Sequence, residues 1–238
     1  IDLLAFGAHP DDAELGAAGT LIRAAKAGSK TGVITLTRGE MGSRGDVAAR
    51  AAEFNAAAAA MGLAHHAMLA LPDGRLACDA VSREAVVREL RSLRPSVVLA
   101  PYWEDRHPDH VAASRIVQEA VFLAGLARLD TGQAPHRPGE IVHYLAAWEF
   151  EPSFVVDISE HFAQKQAVLR CYASQVHNPD RVTAEPGTFI SSEHYWELLA
   201  ARAAHYGRLI GKAYGEPFRI RGLVEIPDLV AAFGGRTY

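Results

Sequence analysis

Leu3-Leu4-Ala5-Phe6-Gly7-Ala8-His9-Pro10-Asp11-Asp12-Ala13-Glu14-Leu15-Gly16 is the stretch on which the fold turns. Residues 3–8 form a short apolar run that stops at Gly, His and Pro, and they read as a buried strand. Residues 14–27 then place Leu15, Leu21, Ile22 and Ala25 at helical spacing and end at Gly28. The same strand–loop–helix unit recurs downstream. Residues 31–37 are β-branched and apolar, 39–46 form a glycine-rich loop, and 47–61 form an alanine-rich helix closed by Gly62. Residues 67–71 read as a third strand, followed by the turn Pro72-Asp73-Gly74 and a helix over 81–93 that Arg94-Pro95 ends. Residues 97–100 are a fourth strand, 102–108 a polar loop and 109–126 a helix. Further on, 141–148 and 154–158 predict strands, 159–172 and 192–214 predict helices, and 175–186 a loop. Such alternation implies an α/β fold, a Rossmann-like doubly wound and mostly parallel sheet with helices on both faces. With no repeat, linker or composition break, 1–238 is expected to be a single domain.

Composition narrows the function classes. Hydrophobic residues make up 49% and charged residues 22%, which excludes a disordered or collagen-like chain. No stretch approaches 18 uninterrupted apolar residues, so no membrane span is expected. The 24 basic and 28 acidic side chains leave a formal charge of −4, which argues against a nucleic-acid binder. Two cysteines, Cys78 and Cys171, cannot build a disulfide framework or a four-thiolate zinc site. With no charged leader before residue 8, a cytoplasmic location is expected. Any metal must be held by nitrogen and oxygen, and the eleven histidines supply the nitrogen.

Two strings concentrate the chemistry: His9-Pro10-Asp11-Asp12 after the first strand and His107-Pro108-Asp109-His110 after the fourth. Each opens a helix, with Pro placed near the first turn. Alone, either string is explained as a helix cap, because Asp favours that position. If the strands run in the order 3-2-1-4-5, however, both strings reach the crevice outside the carboxyl ends of neighbouring strands. Imidazoles and carboxylates gathered there suit Zn²⁺ held by three protein ligands, with further carboxylates left for proton transfer. Spacing alone does not decide which histidine of each pair ligates.

These strings resemble known ones. Ala8-His9-Pro10-Asp11-Asp12-Ala13-Glu14-Leu15-Gly16 with Gly19-Thr20-Leu21, and His107-Pro108-Asp109-His110, resemble the two signatures of the PIG-L/LmbE-type zinc N-deacetylases. The strings 37–45, Leu71-Pro72-Asp73-Gly74, Pro135-His136-Arg137-Pro138, 150–154, Ser174-Gln175 and Tyr214-Gly215-Glu216-Pro217-Phe218 resemble the bacillithiol-biosynthesis branch. The resemblance implies a catalytic deacetylase domain with a Rossmann-like core over about 1–130 and a family-specific part over about 131–238. It implies His9, Asp12 and His110 as zinc ligands, with Fe²⁺ also fitting the set. It further implies Asp11 as general base, His107 as a cationic oxyanion stabiliser and Asp109 as the carboxylate that orients and charges His107. Arg50 and Asp73 are implied as sugar contacts, and a homo-oligomer, a hexamer, as the assembly.

The implied reaction is hydrolysis of the N-acetyl group of an N-acetylglucosamine conjugate, N-acetylglucosaminyl malate above all. Malate carboxylates would suit Arg44, Arg50 and Arg106, which lie in or near the loops around the crevice. Alternatives are N-acetylglucosamine, a chitin oligomer or a mycothiol-type conjugate. The mycothiol reading is weakened because Asp105-Arg106 stand where those relatives carry Tyr-Gly. Ala18 also stands where the family usually has Gly. A metal-free nucleotide-binding module is disfavoured by the absence of G-x-G-x-x-G after the first strand. Tyr195, Trp196 and Tyr206 read as core or subunit contacts, and the remaining histidines as structural or surface residues.

Overall fold

Successive residues of strand β1 (Leu3–Gly7) point to opposite sides of the sheet, and both sides are dry. Leu4 and Phe6 enter a core formed with helices α3 (Ala80–Leu93) and α4 (Pro108–Ala124). Ala5 enters a second core formed with α1 (Asp12–Lys26), α2 (Val47–Met61) and α5 (Phe162–Arg170). This two-sided burial accounts for the unbroken apolar strands in the sequence. The molecule, a computed structural model, is described over residues 1–181 and 183–235.

The remaining strands are β2 (Thr31–Thr35), β3 (His65–Met68), β4 (Val97–Pro101), β5 (Glu140–Tyr144), β6 (Phe154–Asp157) and β7 (Gly215–Arg219). They form one sheet in the order β3-β2-β1-β4-β5-β7-β6. The first five strands are parallel, as expected, and β7 runs antiparallel to β5 and β6. Ala5 of β1 is in register with Val33 of β2 and Leu99 of β4, so β1 and β4 end side by side. The crevice expected between strands 1 and 4 is therefore present. No helix among the described residues is long and apolar enough to cross a membrane.

Several boundaries differ from the sequence reading. Strand β3 begins at His65 rather than 67, because Gly32 pairs with His65 and Thr35 with Met68. As the sheet's edge it tolerates a half-buried His65 and an exposed His66. The expected strand over 141–148 stops at Tyr144, and the chain beyond it becomes a loop. The expected helix over 159–172 opens with a 3₁₀ turn at Ser159–His161 before α5. Helix α6 (Tyr195–Leu209) is shorter than 192–214 at both ends. Strand β7 was hidden by its Gly and Pro. Pro217 is tolerated because the β5 ladder covers only Phe218 and Arg219. A short helix, α7 (Leu229–Phe233), also lies in a stretch that carried no helical signal, with every residue exposed.

Helix α1 starts two residues earlier than its apolar pattern, so Pro10 precedes the helix cap instead of opening the helix. Its cap, Asp11, has φ 112°, in the left-handed region that non-glycine residues rarely enter. The helix lies unusually close to β5. A Cβ at Gly16 would collide with the Tyr144 ring and the Leu145 carbonyl. Gly16→Ala should therefore destabilise the fold by about 2–3 kcal/mol through overpacking. The urea unfolding midpoint checks this, and an unchanged midpoint would contradict the close approach.

Candidate active site

Both polar strings reach the crevice because each sits between a strand end and a helix start. His9 follows β1, and Asp12 begins α1 with its Oδ2 accepting the His9 backbone N–H at 2.7 Å. His107 caps α4, with Pro108 at its first position, where the missing N–H costs nothing. The positive ends of two helices thus face a cluster of carboxylates, which is electrostatically favourable.

Ligand atoms of His9, Asp12 and His110 all lie within 4.8 Å of one another. His9 Nδ1 is 3.4 Å from Asp12 Oδ2, and His110 Nε2 is 3.1 Å from Asp12 Oδ1. Tetrahedral zinc with bonds of roughly 2.0–2.2 Å sets its ligand atoms about 3.3–3.6 Å apart, so two imidazoles and a carboxylate at this spacing suit such an ion after small adjustments. The far nitrogen of each imidazole is also engaged. His110 Nδ1 is 3.0 Å from Asp105 Oδ1, and His9 Nε2 is 2.9 Å from Asp73 Oδ1. A carboxylate behind each imidazole is the usual support of a metal-binding histidine. A second group, His9, His107 and Asp109, is equally close together. Its members are committed elsewhere, however: Asp109 accepts from the Gly74 and Leu76 N–H groups, and His107 Nδ1 accepts from the Asp109 N–H.

The cluster is built around positive charge. Burial opposes the imidazolium forms, yet Asp109, Asp12 and Asp73 carry His9 up to about 12, and Asp12 and Asp105 carry His110 up to about 10. Asp12, although buried, is held well below the usual carboxylate range by His110 and His9. Burial lifts Asp11 to about 6, with the Arg50 guanidinium pulling the other way. Burial and the neighbouring His110 and His9 charges lower His107. Since Nδ1 of His107 accepts a hydrogen bond, its proton resides on Nε2.

These contacts revise several expected roles. Asp109 favours a charged His107 through space, but its carboxylate bonds to the Gly74 and Leu76 N–H groups and lies 3.4 Å from His9 rather than on the His107 ring. Arg50 donates to the Pro10 carbonyl at 2.5 Å and lies 3.4 Å from Asp11 Oδ2, so it braces Asp11 from within the cleft wall. Gly39, at φ 71°, leaves room for that guanidinium. Asp73 meets the cleft but spends its oxygens on His9 and the Met41 N–H. Arg44 does not line the cleft. It donates to the carbonyls of Ser174 and Pro186 and ties the 39–46 loop to a later one. Arg106 remains exposed at the cleft, over the Phe189 ring.

The cleft has a volume of about 770 Å³. Sequence reasoning missed its far wall, which includes Trp148, Phe189, Tyr195 and Arg202. Tyr195, read as core, is indeed buried but presents itself to the cleft. Asp105 was noted only as a departure from relatives. Its one available signal was a carboxylate two residues before a histidine string.

A family model, PIG-L (GlcNAc-PI de-N-acetylase), matches residues 4–121. A 1D-myo-inositol 2-acetamido-2-deoxy-alpha-D-glucopyranoside deacetylase of Nakamurella multipartita is 32% identical, over 73% of this chain and 79% of its own. The chain belongs to the PIG-L family. Two further matches are similar over more of the chain. A diacetylchitobiose deacetylase of Thermococcus kodakarensis is 29% identical, over 91% of this chain and 82% of its own. The conserved protein TT1542 of Thermus thermophilus superposes with a TM-score of 0.86 at 39% identity, over 95% of this chain and 98% of that one.

Two measurements test the centre. Asp105→Asn should weaken zinc binding about 10–100-fold, by competition with a chromophoric chelator; equal affinity would remove Asp105 from the support of His110. The raised His9 and His110 values mean that metal-free protein holds protons there at neutral pH, and binding must release them. Apparent zinc affinity should therefore rise with pH between about pH 6 and about pH 8, by about tenfold or more per unit. A flat profile would contradict this arrangement.

Proposed function

We propose that the protein is a zinc-dependent N-deacetylase that releases acetate from an N-acetylglucosamine conjugate. The observation that carries this reading is the set His9, Asp12 and His110 beside the buried carboxyl of Asp11 in one cleft. The names of the T. kodakarensis and N. multipartita relatives, both deacetylases of N-acetylated glucosamine compounds, support the substrate class. Zinc, when bound, lowers the pKa of a water and polarises the acetyl carbonyl.

The chain's own residues supply the rest. Asp11, raised toward neutrality by burial and braced by Arg50, takes the proton from the attacking water and returns it to the departing amine. His107, whose Nδ1 accepts the Asp109 N–H, offers its Nε2–H to the oxyanion, and burial lowers its affinity for the second proton expected from the resemblance. One such preorganised donor contributes about 3–4 kcal/mol. Asp105 and Asp73 fix the rings of His110 and His9. Atoms balance as amide plus water giving acetate plus free amine.

Within this class, the bacillithiol-branch resemblance favours N-acetylglucosaminyl malate. Arg106, over the Phe189 ring, and Arg202, which donates to the Ala146 carbonyl, line the cleft and suit an anionic aglycone. Asp11→Asn should retain zinc and lose acetate release by about 10²–10⁴-fold. Arg106→Ala should raise KM for the malate conjugate and leave KM for diacetylchitobiose unchanged. An acetate-release assay across both substrates measures each effect. Equal KM changes for both would dismiss the malate assignment, and full activity in Asp11→Asn would dismiss the base.

A further inference from the structure

Glu216 is a buried carboxylate that the chemistry above does not use. It belongs to Tyr214-Gly215-Glu216-Pro217-Phe218, a string that the resemblance singled out without giving it a task. In β7 it shares a face with Phe218, whose ring packs in the core of α1. Its carboxylate takes four donors: the Gly19 N–H at 2.9 Å, the Thr20 N–H at 2.8 Å, the Thr20 hydroxyl at 2.6 Å and the Lys165 ammonium at 2.6 Å. Lys165, on α5 and only 3% exposed, also donates to the Leu15 carbonyl at 2.8 Å.

Leu15 O and Gly19 N are the acceptor and donor of a single i to i+4 step in α1. The ion pair grips both ends of that step. Holding three elements together does not require buried charge, since apolar residues of similar volume stabilise as well or better. The pair adds direction, because charge-assisted hydrogen bonds fix particular backbone atoms. The gripped residue leads straight to the site. Leu15 lines the cleft, and its N–H donates at 2.8 Å to the carbonyl of Asp11, the residue held at φ 112°.

We propose that Lys165 and Glu216 are positioning residues for the catalytic centre. By holding α1 at the Leu15–Gly19 step they fix its first turn, and with it the placement of Asp11 and Asp12 against His107 and His110. The proposal rests on the deacetylase reading above.

The test compares wild type with Lys165→Met and with the double variant Lys165→Met/Glu216→Leu. Removing one partner destabilises the fold, whereas replacing both restores apolar packing. The double variant is expected to regain the wild-type unfolding midpoint while kcat stays about ten- to a hundredfold low at nearly unchanged KM. Its cobalt-loaded form is expected to show an altered visible absorption spectrum, because Asp12 shifts against the two imidazoles. A double variant with wild-type kcat and wild-type cobalt spectrum overturns the proposal. If the double variant does not fold, Thr20→Val removes one of the four donors alone. A drop of about threefold in kcat then supports the proposal, and an unchanged kcat overturns it. Wild type that releases no acetate from any conjugate would instead sink the deacetylase reading, and the cobalt comparison would still decide the role of the pair.

Discussion

The Asp12 carboxylate lies between two imidazoles contributed by widely separated parts of the chain, one oxygen toward His9 and the other toward His110. Three ionisable side chains are thereby taken almost out of water, which is costly unless each is compensated. Much of the surrounding structure supplies that compensation. Asp105 and Asp73 stand behind the rings, two helix N-termini point inward, and the parallel register of β1 and β4 brings the two strings to one level. The same surroundings that favour protons on the imidazoles favour a cation in their place.

The two titratable groups beside the cluster, Asp11 and His107, have opposite surroundings. Asp11 is dry enough to be a usable base and has Arg50 to keep it from remaining protonated. Burial, aided by the His110 and His9 charges, lowers His107, and its Nδ1 accepts from a backbone N–H rather than facing a carboxylate. In the proposed reaction the first group would exchange protons and the second would donate a hydrogen bond. A pair of titratable groups pushed apart in this way is how a single cleft assigns acid–base roles.

The Rossmann-like half was legible because strands buried on both faces leave continuous apolar runs, and the strings at their ends stood where ligands bind in such sheets. The site's supports were much less legible. The destination of Arg44 depends on carbonyls of Ser174 and Pro186, far along the chain, and carbonyls carry no sequence signal. Asp105 gains its role only when α4 turns His110 back toward it. The far wall comes from loops around Trp148 and Phe189, where no periodicity exists to read. Strand β7 combined Gly and Pro, and only its neighbours explain why both are accepted.

The order of the sheet also bears on how the centre comes into being. Both histidine strings leave the ribosome before residue 111, but β7 and Glu216 arrive far later, to meet Gly19 across 197 positions of chain. Contacts of such long sequence separation form slowly, because the closure entropy is lost before the contact repays it. The nascent N-terminal half therefore carries all three candidate metal ligands before Glu216 can hold α1. The Glu216 anchor on α1 can form only once β7, the strand nearest the C-terminus in this sheet, has been made.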